Sequence, residues 1–240
     1  MSSLLNGAAQ AFPQGLYEDS SVQQARIGEL AFAPDGRKFR YVKAGGTALV
    51  VGKLQQGPAL VANHQNITVA TAAIGATTLT VTLGATAATA NQYAGGQICI
   101  NAGTGVGQTY RIKSNPAATL STDLVLTLED PIVTAVATAD SKACLYANKF
   151  NGVIVSPTTF TNSIVGVAIY PITASYYGWV QTGGQVACLN DSATAVGLAI
   201  TRSASVAGSV KTGATTLDSI GVSCQAGVTT EYRFVELYID

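Results

Sequence analysis

Chemistry in a folded chain needs a side chain that can move a proton, a nucleophile with an activating base, or a set of convergent metal ligands. The sequence carries one histidine, His64, in the stretch LVANHQNIT at residues 60–68. A Ser–His–Asp relay in a hydrolase is commonly marked by a G-x-S-x-G elbow, and none accompanies it. A single histidine also rules out a site built from several imidazoles. His64 sits between two β segments and reads as a junction histidine with a structural or solvated role. A hydrolase centred on it is the weakest functional reading.

The other candidates for chemistry are equally thin. The glycine-rich run AGTGVGQTYRI at residues 102–112 has Gln108-Thr109 where a phosphate loop has Lys-Ser/Thr, and no helical pattern follows. It reads as a hairpin connection. Glu18-Asp19 and Glu129-Asp130 are adjacent pairs, and neighbours on a strand point to opposite faces, so neither is a convergent dyad. Asp123 and Asp191 read as turn residues, and no loop pattern supports a calcium site. Cys99, Cys144, Cys188 and Cys224 are far apart, mostly between apolar neighbours, and read as small buried hydrophobes. Their spacing lacks the close pairs of a zinc site and leaves disulfides open. The expectation is a non-enzyme without metal or cofactor.

Two clusters remain that suit recognition. In DGRKFRYVKAGG, residues 35–46, Arg37, Lys38, Arg40 and Lys43 crowd into seven positions. In SYYGW, residues 175–179, Tyr176, Tyr177 and Trp179 surround a glycine. Exposed aromatics of this kind serve protein interfaces and sugar stacking, and they equally fill a sheet core and its turn.

These residues must be positioned by strands. IGELAFA (27–33), the turn Pro34-Asp35-Gly36 and RKFRYVKA (37–44) form a hairpin signature. Period two puts Arg37, Phe39, Tyr41 and Lys43 on one face and Lys38, Arg40 and Val42 on the other, so the cations make no single basic stripe. TTLTVTL (77–83) alternates, with Leu79, Val81 and Leu83 inward. GQICINA (96–102), QTYRIKS (108–114), DLVLTLED (123–130) and YRFVELYID (232–240) are further strands. ATAATA (85–90) is a run that could make a helical turn. GVAIYPITASYYGWVQTGG (166–184) and GLAITRSASVAGSVKTG (197–213) form a weak internal repeat, a GxAI strand and a V-x-T-G strand end, with a third start at GVSCQAG (221–227). The predicted fold is all-β, small sandwich or barrel modules with little helix.

Four segments follow: an N-terminal arm over 1–24, a hairpin leading into the body over 25–65, a Thr/Ala/Gly-rich β-domain over 66–148, and a C-terminal β-domain over 149–240. Leu4, Leu5, Phe12, Leu16 and Tyr17 make the arm too apolar for a free tail, so it is expected to pack on its own body or a neighbour. The first fifteen residues lack the basic and apolar regions of a signal peptide, and no run reaches the roughly 18–20 apolar residues of a membrane span. Thirteen basic residues balance thirteen acidic ones, and only 11% of the chain is charged. That balance gives no long-range attraction to nucleic acid or anionic membrane, and weak self-repulsion suits a subunit of an assembly.

The segment GELAFAPDGRKFRYVKAGGTALVVGKL (28–54) resembles an N-terminal signature of small virion proteins of tailed bacteriophages. NQYAGGQICINAGTGVGQTYRIKSN (91–115) and GVAIYPITASYYGWVQTGGQV (166–186) are similar to stretches in the same group. The resemblance is to capsid decoration, or cement, proteins. It implies a β-rich homo-oligomer, a trimer by preference, made in the host cytoplasm. On the virion it would bind the major capsid protein at the capsid exterior and clamp neighbouring capsomers. It carries over no catalytic residue. The candidate interface residues are Leu4, Leu5, Phe12, Leu16 and Tyr17 of the arm, Arg37, Lys38, Arg40 and Lys43 of the basic strand, and Tyr176, Tyr177 and Trp179. The alternative is a virion fibre or receptor-binding module that grips a host-surface glycan through SYYGW.

Overall fold

The computed structural model describes residues 13–213 and 219–240. Leu4, Leu5 and Phe12 lie outside the described residues. The chain opens with β1 (Leu30–Phe32), β2 (Lys38–Ala44) and β3 (Leu54–Gln56). It continues with β4 (Ile67–Val69), β5 (Thr78–Thr82), β6 (Gln97–Ala102), β7 (Thr109–Ser114), β8 (Asp123–Leu128) and β9 (Lys142–Tyr146). The last stretch adds β10 (Asn151–Val155), β11 (Ile164–Ala168), β12 (Tyr177–Leu189) and β13 (Ala199–Arg202). It closes with β14 (Val210–Thr212), β15 (Gly221–Ser223) and β16 (Tyr232–Tyr238). Among the described residues the helical structure is a single 3-10 turn at Ala62–His64, so the protein is all-β.

Two compact units divide these strands: Met1–Pro58 with Lys149–Asp240, and Ala59–Asn148. The segments expected at 25–65 and 149–240 are therefore not separate. β2 and β3 find their hydrogen-bonding partners in β10, β11 and β12, and an unpaired strand edge is costly to leave alone. The upstream boundary of the middle unit lies at Pro58/Ala59 and not at 65/66.

The Ala59–Asn148 unit is a closed barrel of order β4-β5-β8-β7-β6-β9. Closure dictates the pattern seen in the sequence, because one face of every strand looks into the barrel. Leu79, Val81 and Leu83 are buried while Thr78 and Thr82 are exposed; Leu124, Leu126 and Leu128 do the same on β8. Each such side chain stabilises the fold by about 1.5–3 kcal/mol relative to exposure. The glycine run joins β6 to β7 as a hairpin, with Gly103 at φ +76°. A Cβ there would lie 2.2 Å from the Asp140 carbonyl oxygen, so this position needs glycine for close backbone approach as well as for the left-handed turn. ATAATA makes no helical turn: Ala88 is buried and bridges Ala118 in extended backbone. Asp123, expected in a turn, starts β8 and accepts a hydrogen bond from Thr82 Oγ1 at 2.8 Å.

In the other unit, β12 pairs with both β11 and β2, which closes the ring β2-β10-β3-β11-β12. Val42, Val153, Val165 and Val180 belong to the core on one side of β2. Phe39, Tyr41 and Trp179 belong to a second core on the other side, with Ala25, Ala31 and Ala33. β2 is thus buried on both faces. The glycine of the first V-x-T-G, Gly183, does not end its strand: β12 runs on to Leu189, and its second half pairs with β16 from Gly183↔Tyr238 to Leu189↔Tyr232. Both repeat copies are antiparallel hairpins with different registers, Ala168 opposing Val180 and Ile200 opposing Thr212.

Candidate functional site

The basic strand meets partners within its own unit. Arg37 Nε binds Asp35 Oδ2 at 2.7 Å across the turn. The backbone N–H of Arg37, aided by its guanidinium, holds the Asp35 carboxyl below its ordinary value. Arg40 Nε binds Asp240 Oδ2 at 2.7 Å, its Nη1 donates to the Gly28 carbonyl at 2.8 Å, and Lys38 Nζ donates to the Asp240 carbonyl at 2.9 Å. Lys43 Nζ lies 5.4 Å from the centroid of the Tyr177 ring, and Arg37 5.4 Å from that of Phe39. Long cationic stems lie over aromatic surface while their heads find acceptors or water.

SYYGW splits between core and turn. Tyr176 sits at the turn and is 36% exposed. Tyr177 stacks on Tyr41 with centroids 6.2 Å apart. Trp179 is 1% exposed, meets Tyr41 edge-on at 5.0 Å, and donates its Nε1–H to the Gln14 carbonyl at 3.0 Å. Trp179, expected at an interface, is a core residue. The described part of the arm explains why. Gln14, 3% exposed, accepts from Tyr41 Oη at 2.5 Å, and Leu16 packs on the same core, so residues 13–24 lie on their own body.

Tyr17 and Arg37, far apart in sequence, do come together. They line a cleft of about 490 Å³ with Val51, Ile169, Val186, Tyr232 and Phe234. Its rim is aromatic and open: Tyr17 is 62%, Tyr232 50% and Phe234 49% exposed. Gln181 also lines it, fully buried. Its Nε2 donates to the carbonyls of Gly183 and Gln185, which fixes the amide orientation and leaves Oε1 without a donor among the described residues. A second hollow shares Arg37, Gln185 and Phe234 and adds Asp35 and Glu236. Exposed aromatics line the cleft, and Arg37, Asp35 and Glu236 add charge across the two hollows; aromatic residues and Arg are the types enriched at protein interfaces. Sequence reasoning missed Tyr232, although YRFVELY carried a signal: period two places Tyr232, Phe234 and Tyr238 outward and Val235 and Leu237 inward.

The groups considered for catalysis are occupied elsewhere. His64 is fully buried in the Ala59–Asn148 unit; its Nδ1 bonds the Tyr93 hydroxyl and its Nε2 lies 2.8 Å from the Thr86 carbonyl. Glu129 Oε2 pairs with Arg111 Nε at 3.0 Å, and Asp19 Oδ2 accepts from the Thr173 backbone N–H at 2.8 Å. Among the described residues no three His, Cys, Asp or Glu side chains converge as metal ligands, and no helix is long and apolar enough to cross a membrane. Set against family models, curated proteins and solved structures, the chain has no match in any of the three comparisons.

Proposed function

We propose that this chain is a structural virion protein that binds the outer surface of a phage capsid and cements neighbouring capsomers, acting as a homotrimer. The observation that carries the reading is the cleft bounded by Tyr17, Arg37, Tyr232 and Phe234, an exposed aromatic face over the buried Gln181 amide. The resemblance of residues 28–54, 91–115 and 166–186 to decoration proteins supplies the identity of the partner. The mechanism is mechanical. A protein with affinity only for the assembled shell stabilises that shell by mass action, and symmetric repetition turns modest contacts into avidity.

The test is decoration of capsids that lack the protein. Phe234→Glu, at a half-exposed position, is expected to bind at least roughly tenfold more weakly than the parent, the size of loss seen at interface anchors. An unchanged thermal midpoint would show that the variant folds. Full decoration by a folded variant overturns the docking face. Sedimentation of the free protein reads the oligomer directly, and a monomer overturns the trimer. The glycan-binding alternative loses its central residue to the core, because Trp179 is buried.

A further inference from the structure

Two of the four cysteines, 45 positions apart in sequence, face each other across a strand pair. In the β6–β9 ladder Ile98 opposes Leu145, Cys99 opposes Cys144 and Ile100 opposes Ala143. Ile98, Ile100, Ala143 and Leu145 are all buried in the barrel core, so alternation puts both thiols together on the outer face. Both are partly exposed, and both are free thiols. Directly opposed residues in an antiparallel pair have Cα atoms about 4.5–5.5 Å apart, inside the 4.4–6.8 Å window for disulfides. The backbone N–H of Asn66 donates to Cys144 Sγ at 3.4 Å, a contact that helps orient that side chain.

We propose that Cys99 and Cys144 form a site of reversible covalent modification, an intrachain disulfide that staples β6 to β9 when the protein meets a low-molecular-weight disulfide. The thiolate of one cysteine attacks a sulfur of the small disulfide, breaking its S–S bond, forming a mixed disulfide and releasing one small thiol. The thiolate of the opposing cysteine then attacks the protein-bound sulfur, forming the Cys99–Cys144 bond and releasing the second small thiol. The two cysteines lose two protons and two electrons, and the oxidant takes up both pairs as two thiols. Cys188 takes no part: it is fully buried, and burial pushes its thiol up to about 12.

The experiment uses the full chain with Cys224→Ser, which removes the remaining partly exposed thiol. Native protein is incubated with oxidised glutathione, quenched with acid and mapped by mass spectrometry. A peptide joining Cys99 to Cys144, two hydrogens lighter than the separate peptides, is expected. It should form roughly tenfold or more faster in native protein than in urea-unfolded protein, because the fold holds the second thiol at high effective concentration. Cys99→Ser and Cys144→Ser should each convert the product to a stable glutathione adduct on the remaining cysteine. Glutathione adducts on both cysteines of the otherwise unaltered pair, with no linked peptide, would overturn the proposal. So would a link that forms no faster in the native chain than in the unfolded one.

Discussion

The indole of Trp179 and the backbone of Gln14 meet in a buried hydrogen bond, Nε1–H to carbonyl at 3.0 Å, across 165 positions of sequence. The same Gln14 accepts from Tyr41 Oη, so one residue of the N-terminal segment satisfies two polar tips of an otherwise apolar core. A buried donor left unpaired costs about 1–3 kcal/mol. Gln14→Ala, which removes the acceptor for Tyr41 but keeps the carbonyl for Trp179, is expected to lose roughly that amount. Trp179→Phe should lose at least as much, through the orphaned carbonyl and the missing volume. Urea denaturation followed by fluorescence from the single tryptophan reads the first, and circular dichroism the second. Removing residues 13–24 would also unseat this core, so surface substitutions test the proposed docking face more cleanly than truncation.

His64 belongs to the barrel's interior. With Nδ1 against the Tyr93 hydroxyl and Nε2 against the Thr86 carbonyl, its ring joins two loops of the Ala59–Asn148 unit. His64→Ala should destabilise that unit by about 2–4 kcal/mol, combining a cavity with a buried hydroxyl left without its partner. Tyr93→Phe removes one side of the pair and should cost about 1–3 kcal/mol. Thermal unfolding of each variant checks both values. A hydrolytic activity that disappeared in His64→Ala while stability stayed unchanged would point instead to a catalytic histidine.

The alternation of the barrel strands was legible because each has one face in a core and one in water. TTLTVTL and DLVLTLED therefore announce their inward leucines and valines without further context. β2 resists the same reading because it is buried on both sides: Phe39 and Tyr41 sink into one core and Val42 and Ala44 into another. Nothing in residues 35–46 tells that Arg40 will find Asp240, since that partner is brought in by strand order. The cleft is equally illegible. Tyr17, Arg37, Val51, Val186 and Phe234 come from five separate stretches, brought together by the pairing of β12 with β2 and β16 and by backbone bonds from Gly52 to Ala168 and from Ser20 to Tyr177. Cys99 and Cys144 oppose each other through a register that closure of the barrel sets and no local motif encodes.

The Arg40–Asp240 pair gives stability a pH dependence of defined sign. Burial alone would raise the Asp240 carboxyl, but hydrogen bonding and charge from Arg40 outweigh it and leave the group below 3.8. A depressed carboxyl favours the fold fully above its unfolded value, and the benefit is lost as pH falls through the lower folded value. Because both partners are partly solvated, the contribution at neutral pH is expected to be under about 1 kcal/mol. Asp240→Asn should therefore lower stability slightly at pH 7. The two proteins should converge as pH drops well below 4, which urea melts at successive pH values will show. A gap that widens in acid would contradict the assignment.

Gly103 and Gly107 allow turn geometry to be separated from close packing within one hairpin. Both have left-handed backbone, φ +76° and +86°. Among the described residues a Cβ on Gly107 meets nothing within 4 Å, whereas one on Gly103 meets the Asp140 carbonyl oxygen at 2.2 Å and Ser141 N at 2.7 Å. Alanine at Gly107 should cost about 1–2 kcal/mol, the strain of left-handed backbone alone. Alanine at Gly103 carries that strain plus a clash with backbone that β9 holds in place, so at least about 2 kcal/mol more is expected. Chemical denaturation of the two variants side by side makes the comparison. Equal losses would mean that the loop relaxes away from Asp140, and that the left-handed turn is the whole reason for glycine in this run.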